Sequence, residues 1–181
     1  VNSMQLFCFD SYGLFITTTP ATITSHGEEF GEFTATIPKN TRRIHFIANQ
    51  NMTDFQEDEF RNKSEADVIA LLEGSSGMMI YWARFACDAN HEEPIDQQLA
   101  KNPNIIMIRN QAKITIDNPT GNGYLVVTGF TAYNTNAFGT VAPYHPTKGW
   151  VWSSNADVEP FVTLPANDAK LSDIQDVQDI S

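Results

Sequence analysis

Short apolar runs separated by polar turns recur along most of the chain. The first run, SMQLFCF at residues 3 to 9, alternates as a strand does. One face carries Met4, Leu6 and Cys8, and the other carries Phe7 and Phe9. The sequence DSYG that follows predicts a turn, because Asp favours the first turn position and Gly accepts a positive φ. A second short strand is predicted at residues 14 to 20.

A strand–turn–strand unit is predicted at residues 32 to 49. Apolar and polar residues alternate in EFTATI at residues 32 to 37, and PKNT at residues 38 to 41 favours a turn. In RRIHFIAN at residues 42 to 49, one face carries Ile44, Phe46 and Ala48, and the other carries His45, Ile47 and Asn49. We therefore expect these two strands to pair as a hairpin, preceded by a loop at residues 21 to 31.

One helix is predicted at residues 64 to 73. Ser64 and Asp67 have the spacing of a capping box, an apolar stripe follows, and Gly74 is a helix stop signal. Beyond it the pattern predicts a β-rich run at residues 78 to 86, a polar loop at 88 to 104 and two antiparallel strands within 105 to 134.

About seven short strands with a turn every 8 to 12 residues and a single short helix are typical of a mainly-β, antiparallel β-sandwich. Residues 1–144 are predicted to form this domain. The irregular and acidic residues 145–181 are predicted to be a linker or the start of a second domain.

The net charge of the chain limits the classes of molecule that it can bind. The 22 acidic and 11 basic residues give a net charge of −11, so no basic patch can dominate the surface. This argues against nucleic acid or an anionic membrane surface as the main partner. It fits a soluble surface or secreted protein, although many cytosolic proteins are as acidic. Two cysteines, Cys8 and Cys87, are too few for a disulfide scaffold, and unpaired buried thiols are favoured over a bridge between them.

The sequence contains no recognised catalytic motif. It has no nucleophile elbow, phosphate-binding loop or dinucleotide-binding fingerprint, and its four histidines lack the spacing of metal ligands. We therefore predict no catalytic site, no metal and no cofactor. His45 is interpreted as a core-strand histidine that hydrogen-bonds to a neighbour.

Aromatic residues near the end of the β-rich region offer a second possibility. Tyr144, Trp150 and Trp152 could stack on sugar rings or anchor a protein partner. The alternative for these three residues is a place in the core, which is also the interpretation for Trp82.

An ordered series of segments resembles the N-terminal domain of Bacteroidetes-type fimbrillins and fimbrillin-like cell-adhesion proteins. The most specific segments are IHFIAN and IRNQAKITI, followed by GFTAYNT, and the resemblance covers residues 3 to about 144. It implies a transthyretin-like β-sandwich and a non-enzymatic structural or adhesive subunit of cell-surface fimbriae.

The resemblance also implies how subunits join. In the family, stalk subunits lose an N-terminal strand by cleavage after an arginine, and a strand from the neighbouring subunit fills the groove; the stalk, tip and anchor roles all stay open for this chain. Here that places Met4, Leu6, Phe7, Cys8 and Phe9 at the subunit-strand site. The implied partners are other fimbrial subunits and a host glycan or protein receptor. The implied location is the outer-membrane surface, reached by a lipid anchor that this chain does not contain. A glycan-binding surface β-sandwich is the alternative.

Overall fold

The structure is a computed structural model. It describes residues 1–27, 30–53, 55–74, 79–87, 93–101, 103–111 and 115, together with 129–130, 139–142, 144–145, 149–150 and 178–179. The predicted strands within 105 to 134 and the linker or second domain at 145–181 fall mostly outside these residues.

The main sheet has five strands, and every neighbouring pair is antiparallel. In spatial order its strands are β2 (Phe15–Pro20), β1 (Met4–Phe9), β5 (Arg43–Ala48), β7 (Tyr81–Ala86) and β8 (Ile108–Arg109). The first strand of the chain therefore lies inside the sheet, not at its edge.

The other described strands form four antiparallel pairs. They are β3 (Thr22–His26) with β4 (Gly31–Thr34), β6 (Glu73–Gly74) with β10 (Gly139–Thr140), β9 (Gly129–Phe130) with β13 (Gln178–Asp179), and β11 (Tyr144–His145) with β12 (Gly149–Trp150). The predicted mainly-β, antiparallel fold class is confirmed.

Helix α1 (Glu65–Ala70) begins where its capping signal predicts. The Ser64 hydroxyl accepts a 3.2 Å hydrogen bond from the Asp67 amide and donates a 2.7 Å hydrogen bond to the Asp67 carboxylate. A 3₁₀ helix (Glu57–Phe60) precedes α1, and α2 (Ile95–Lys101) follows β7. Helix α1 ends before the predicted stop at Gly74, which belongs to β6 instead.

Each face of the main sheet packs against its own apolar cluster. On one face, Phe7, Ile47 and Trp82 meet α1 and the 3₁₀ helix through Val68, Ile69 and Phe60. On the other face, Leu6, Phe46 and Phe85 meet the β3–β4 ribbon through Phe33 and α2 through Ile95. Because both faces are covered, the central strands can be apolar on both sides.

Three predictions are corrected. The predicted hairpin between residues 32 to 37 and 42 to 49 is wrong, because β4 pairs with β3 while β5 pairs with β1 and β7. The predicted loop at 21 to 31 contains β3, a strand rich in Thr and Ser. The predicted loop at 88 to 104 contains α2, which buries Ile95 against the sheet.

Both cysteines are free, with Cys8 buried and Cys87 partly buried. No helix among the described residues is long and apolar enough to cross a membrane.

Candidate functional site

Strand β1 lies between two antiparallel neighbours that hydrogen-bond to both of its edges. Its central residue Leu6 is opposite Thr19 of β2 and Phe46 of β5. The pairing continues past both ends of the strand, where the Met4 carbonyl accepts a hydrogen bond from Ala21 and the Phe9 carbonyl accepts one from Arg42. β1 therefore fills a groove with a strand on each side.

The side chains of β1 fill this groove on both faces. The predicted faces are confirmed: one apolar cluster contains Met4, Leu6 and Cys8, and the other contains Phe7 and Phe9. None of these five side chains is more than 7% exposed. Since full burial of a large apolar side chain contributes about 1.5–3 kcal/mol, β1 is a major part of the core.

The start of β1 is fastened by Asn49, which has the left-handed φ of 65° just after β5. Its side-chain oxygen accepts a 2.8 Å hydrogen bond from the Asn2 amide, and its side-chain nitrogen donates a 2.9 Å bond to the Met79 carbonyl. One side chain thereby joins the segment before β1 to the segment before β7. Asn tolerates this backbone conformation better than most residues.

The end of β1 is fastened by the turn that leads into β2. One carboxylate oxygen of Asp10 accepts hydrogen bonds from the amides of Tyr12 (2.8 Å) and Leu14 (2.9 Å). Gly13 has a φ of 77°, as the turn motif predicts, and its carbonyl accepts a 3.0 Å bond from the Glu65 amide. The turn is thus docked on the first residue of α1.

Glu65 is also the centre of a buried polar cluster. Its carboxylate accepts hydrogen bonds from Arg43 (Nη1, 2.5 Å), from Arg84 (Nε, 2.6 Å, and Nη2, 3.1 Å) and from His45 (Nε2, 2.8 Å). Arg43 additionally donates to the Ser11 carbonyl in the turn after β1. The cluster therefore ties together β5, β7, α1 and the β1–β2 turn.

The protonation of His45 follows from its partners. The indole nitrogen of Trp82 can only donate, and it lies 3.0 Å from Nδ1 of His45. Nδ1 must therefore accept, which leaves Nε2 to carry the proton and donate to Glu65. Burial lowers the pKa of His45, and the two nearby arginines oppose a second proton.

Glu65 is held as a carboxylate despite its burial. Desolvation alone would raise its pKa, but the hydrogen bonds from His45 and Arg84 outweigh that effect and bring the pKa below its ordinary value. A charge in this position is stable only while its donors remain in place.

This geometry gives His45 a structural role. Its ring is completely buried, and Nδ1, the nitrogen that could accept a proton, is occupied by Trp82. The prediction that His45 hydrogen-bonds within a core strand is confirmed, and so is the assignment of Trp82 to the core. In the part of the chain that the structure describes, no three His, Cys, Asp or Glu residues are grouped as metal ligands.

The aromatic candidates are partly brought together. Tyr144 and Trp150 are directly opposite partners in the β11–β12 ribbon. Residues directly opposite in an antiparallel pair belong to one face of the ribbon. Trp152 lies outside the described residues.

Sequence reasoning missed the cluster around Glu65. An acidic residue at the first position of a helix is usually explained by the helix dipole, so Glu65 gave no sign of burial. Arg43 and Arg84 are separated from it by 22 and 19 positions. The one available signal was that both arginines occur within otherwise apolar strands.

Comparison with known proteins identified no relative: no family model, no curated protein and no solved structure matches the chain.

Proposed function

We propose that this protein is a structural, adhesive subunit of cell-surface fimbriae that assembles by β-strand addition between subunits. The observation that carries the proposal is the position of β1. It is the first strand of the chain, yet it is enclosed between β2 and β5 and buried on both faces. A groove of this kind is suited to an extended segment of another chain.

The physical basis is the number of interactions that one short strand makes. A segment in the β1 groove forms backbone hydrogen bonds along two edges and places alternate side chains into two apolar clusters. Backbone bonds supply affinity and side-chain pockets supply specificity in strand addition. An empty groove would expose two strand edges and a large apolar surface, so a subunit without β1 should associate strongly.

The proposed partners are other fimbrial subunits, and the proposed location is the cell surface, with outer-membrane attachment through a lipid anchor. The proposed role requires no catalytic activity. The resemblance of the segments around β1, β5 and β7 to fimbrillin-like proteins supports this interpretation, as does the mainly-β antiparallel fold.

Within residues 1 to 181, the first arginines after β1 are Arg42 and Arg43. The Arg42 guanidinium donates to the Lys39 and Thr41 carbonyls, and the Arg43 guanidinium is bound to Glu65. Cleavage there would separate β1 to β4 from the rest of the sheet. A test of β1 alone therefore needs an engineered site.

In the experiment, a specific protease site is inserted between Ser11 and Tyr12 of the full chain. The site is accessible there because the Tyr12 side chain is 85% exposed. After cleavage, β1 is displaced in mild denaturant and the denaturant is removed. Size exclusion and negative-stain electron microscopy should then detect oligomers or filaments. A synthetic peptide of residues 1 to 10, added in excess, should keep the protein monomeric by occupying the groove.

The matched control is the same peptide with Phe7→Asp, which places a charge in the position of a fully buried ring. It should not prevent assembly, because an unpaired buried charge is costly. A protein that remains monomeric after loss of β1, with or without peptide, would contradict assembly by strand addition.

A second candidate function is glycan binding, and the pairing of Tyr144 with Trp150 favours it. Two aromatic residues at opposed positions of a ribbon could offer a platform for a sugar ring. Titration with host and plant polysaccharides should give saturable binding that Trp150→Ala abolishes and Tyr12→Ala, in the β1–β2 turn, leaves unchanged. Absence of saturable binding would exclude this function for the glycans tested.

A further inference from the structure

The β1 groove contains a buried polar group whose hydrogen-bonding capacity is unused. Thr41 is completely buried, and its Oγ1 has no hydrogen-bond partner within the part of the chain that the structure describes. Leaving a buried hydroxyl unpaired costs stability, whereas most buried side-chain polar atoms have a partner. This hydroxyl belongs to the wall of the groove, since Thr41 precedes the residue that bonds to the Phe9 carbonyl.

The neighbour of this hydroxyl on β1 is the thiol of Cys8. Burial raises the pKa of Cys8 to about 11, and the adjacent Thr41 hydroxyl opposes that rise only in part. A thiol is only a weak donor and a weak acceptor, so it is a poor partner for the Thr41 hydroxyl, which forms no hydrogen bond within the described residues. The position in the groove is therefore polar, but the native side chain satisfies it poorly.

The same position is also restricted in size. Cys8 is fully buried in the cluster that contains Ile44 and Ala83, and it stands between the larger side chains of β1. Adding methylenes to a filled core position forces neighbours to move. Larger apolar side chains would therefore fit less well here than at Leu6 or Phe9.

We infer that the groove between β2 and β5 is selective for an extended segment with a small hydroxyl- or thiol-bearing side chain at the position of Cys8, beside Thr41. This inference rests on the proposed function for the identity of its ligand, a strand from another subunit. The segment it describes has large apolar residues at the positions of Leu6, Phe7 and Phe9 and Ser, Thr or Cys at the position of Cys8. A polar residue is tolerated at the position of Gln5, which is half-buried.

The first test uses the intact chain and does not depend on strand exchange. Unfolding is measured by urea titration for Cys8→Ser and Cys8→Ala, each alone and combined with Thr41→Val. The compared quantity is the folding equilibrium constant of the Cys8→Ser protein divided by that of the Cys8→Ala protein. This ratio should be roughly three- to tenfold larger when Thr41 is retained than when valine replaces it. An equal advantage in the two backgrounds would overturn the inference.

The second test addresses the incoming strand. The chain cleaved between Ser11 and Tyr12 is mixed with a fluorescent peptide of residues 1 to 10, and unlabelled peptides with Cys, Ser, Ala or Leu at position 8 compete for the groove. Cys and Ser peptides should compete best and the Leu peptide worst. Equal competition by all four would refute the selectivity while leaving strand addition intact.

The two hypotheses fail in different ways. Coupling between Thr41 and residue 8 in the intact chain, combined with no exchange of any peptide, would contradict the proposed function but support the assigned subsite. Exchange of the peptides without coupling and without preference at position 8 would support the proposed function but contradict the assigned subsite.

Discussion

The indole nitrogen of Trp82 donates a 3.0 Å hydrogen bond to Nδ1 of His45, and both side chains are completely buried. This contact fixes the neutral form of the histidine with its proton on Nε2, where it bonds to Glu65. Adding a proton to Nδ1 would break the bond to Trp82 and place a third cation in the cluster that already holds Arg43 and Arg84.

The first prediction is that stability falls as the pH is lowered from 7 to 5. Because burial lowers the pKa of folded His45 below its ordinary value of 6.5, the unfolded chain takes up the proton first. The stabilisation from neutral His45 is fully present above pH 6.5. It is lost as the pH falls towards the lower pKa that His45 has in the folded protein. Glu65, whose pKa is also lowered, adds a second loss below its ordinary 4.5.

Urea titrations at pH 8, 7, 6 and 5 measure this dependence. His45→Gln should remove most of the loss between pH 7 and 5, whereas His26→Gln, at an exposed position, should not. An unchanged pH profile in His45→Gln would contradict the proposed protonation.

The second prediction concerns the buried carboxylate. Glu65→Gln should destabilise the fold by about 3 kcal/mol, because it leaves Arg84 and Arg43 without their shared anion. Asp58→Asn is the control, since it removes an ion pair to Arg61 in which both side chains are more than 70% exposed. This exposed pair should contribute nothing measurable. Equal effects of the two substitutions would argue against a structural role for the cluster.

The third prediction concerns the turn after β1. Gly13→Ala should cost about 1–3 kcal/mol because of the φ of 77°, and its Cβ would lie 2.5 Å from Nη1 of Arg43. Tyr12→Ala in the same turn should have little effect, because that side chain is 85% exposed. Thermal or urea unfolding measures both, and a neutral Gly13→Ala would show that the docking of the turn on Arg43 is unimportant.

The fourth prediction concerns the helix cap. Ser64→Ala should destabilise the protein by about 1 kcal/mol, since the Asp67 amide loses its acceptor. Ser64→Thr keeps the hydroxyl and should retain most of the stability. If both substitutions behave alike, the cap does not stabilise α1.

The sequence was sufficient where local pattern decides the structure. β1 is apolar on both faces, and its alternation assigned Leu6 and Phe7 to the correct opposite sides. The positive φ of Gly13 and the cap at Ser64 are equally local, because each depends on residues within a few positions.

Strand pairing could not be predicted in the same way. The turn at residues 38 to 41 suggested that β4 and β5 are partners, but β5 pairs with β1, far away in sequence. Both faces of β5 are buried, so its apolar pattern does not distinguish which strands pair with its two edges. Strand β3 was missed because its Thr and Ser residues suggested a loop, although Thr is favourable in strands.

The partners of His45 illustrate the same limit. Its place on a core strand followed from the alternation in RRIHFIAN, but Glu65 and Trp82 are 20 and 37 positions away. Only the pairing of β5 with β7 and the docking of α1 bring them together.

The central claim is that the groove between β2 and β5 accepts β1 from a separate chain. The most direct measurement is co-expression of residues 1 to 11 and residues 12 to 181 as two polypeptides, with affinity purification through a tag on the larger one. The claim predicts that both fragments are recovered in a one-to-one, folded complex by size exclusion and circular dichroism, and that Phe7→Asp in the smaller fragment abolishes recovery. If the larger fragment folds to full stability alone, or never retains the smaller one, the claim is contradicted.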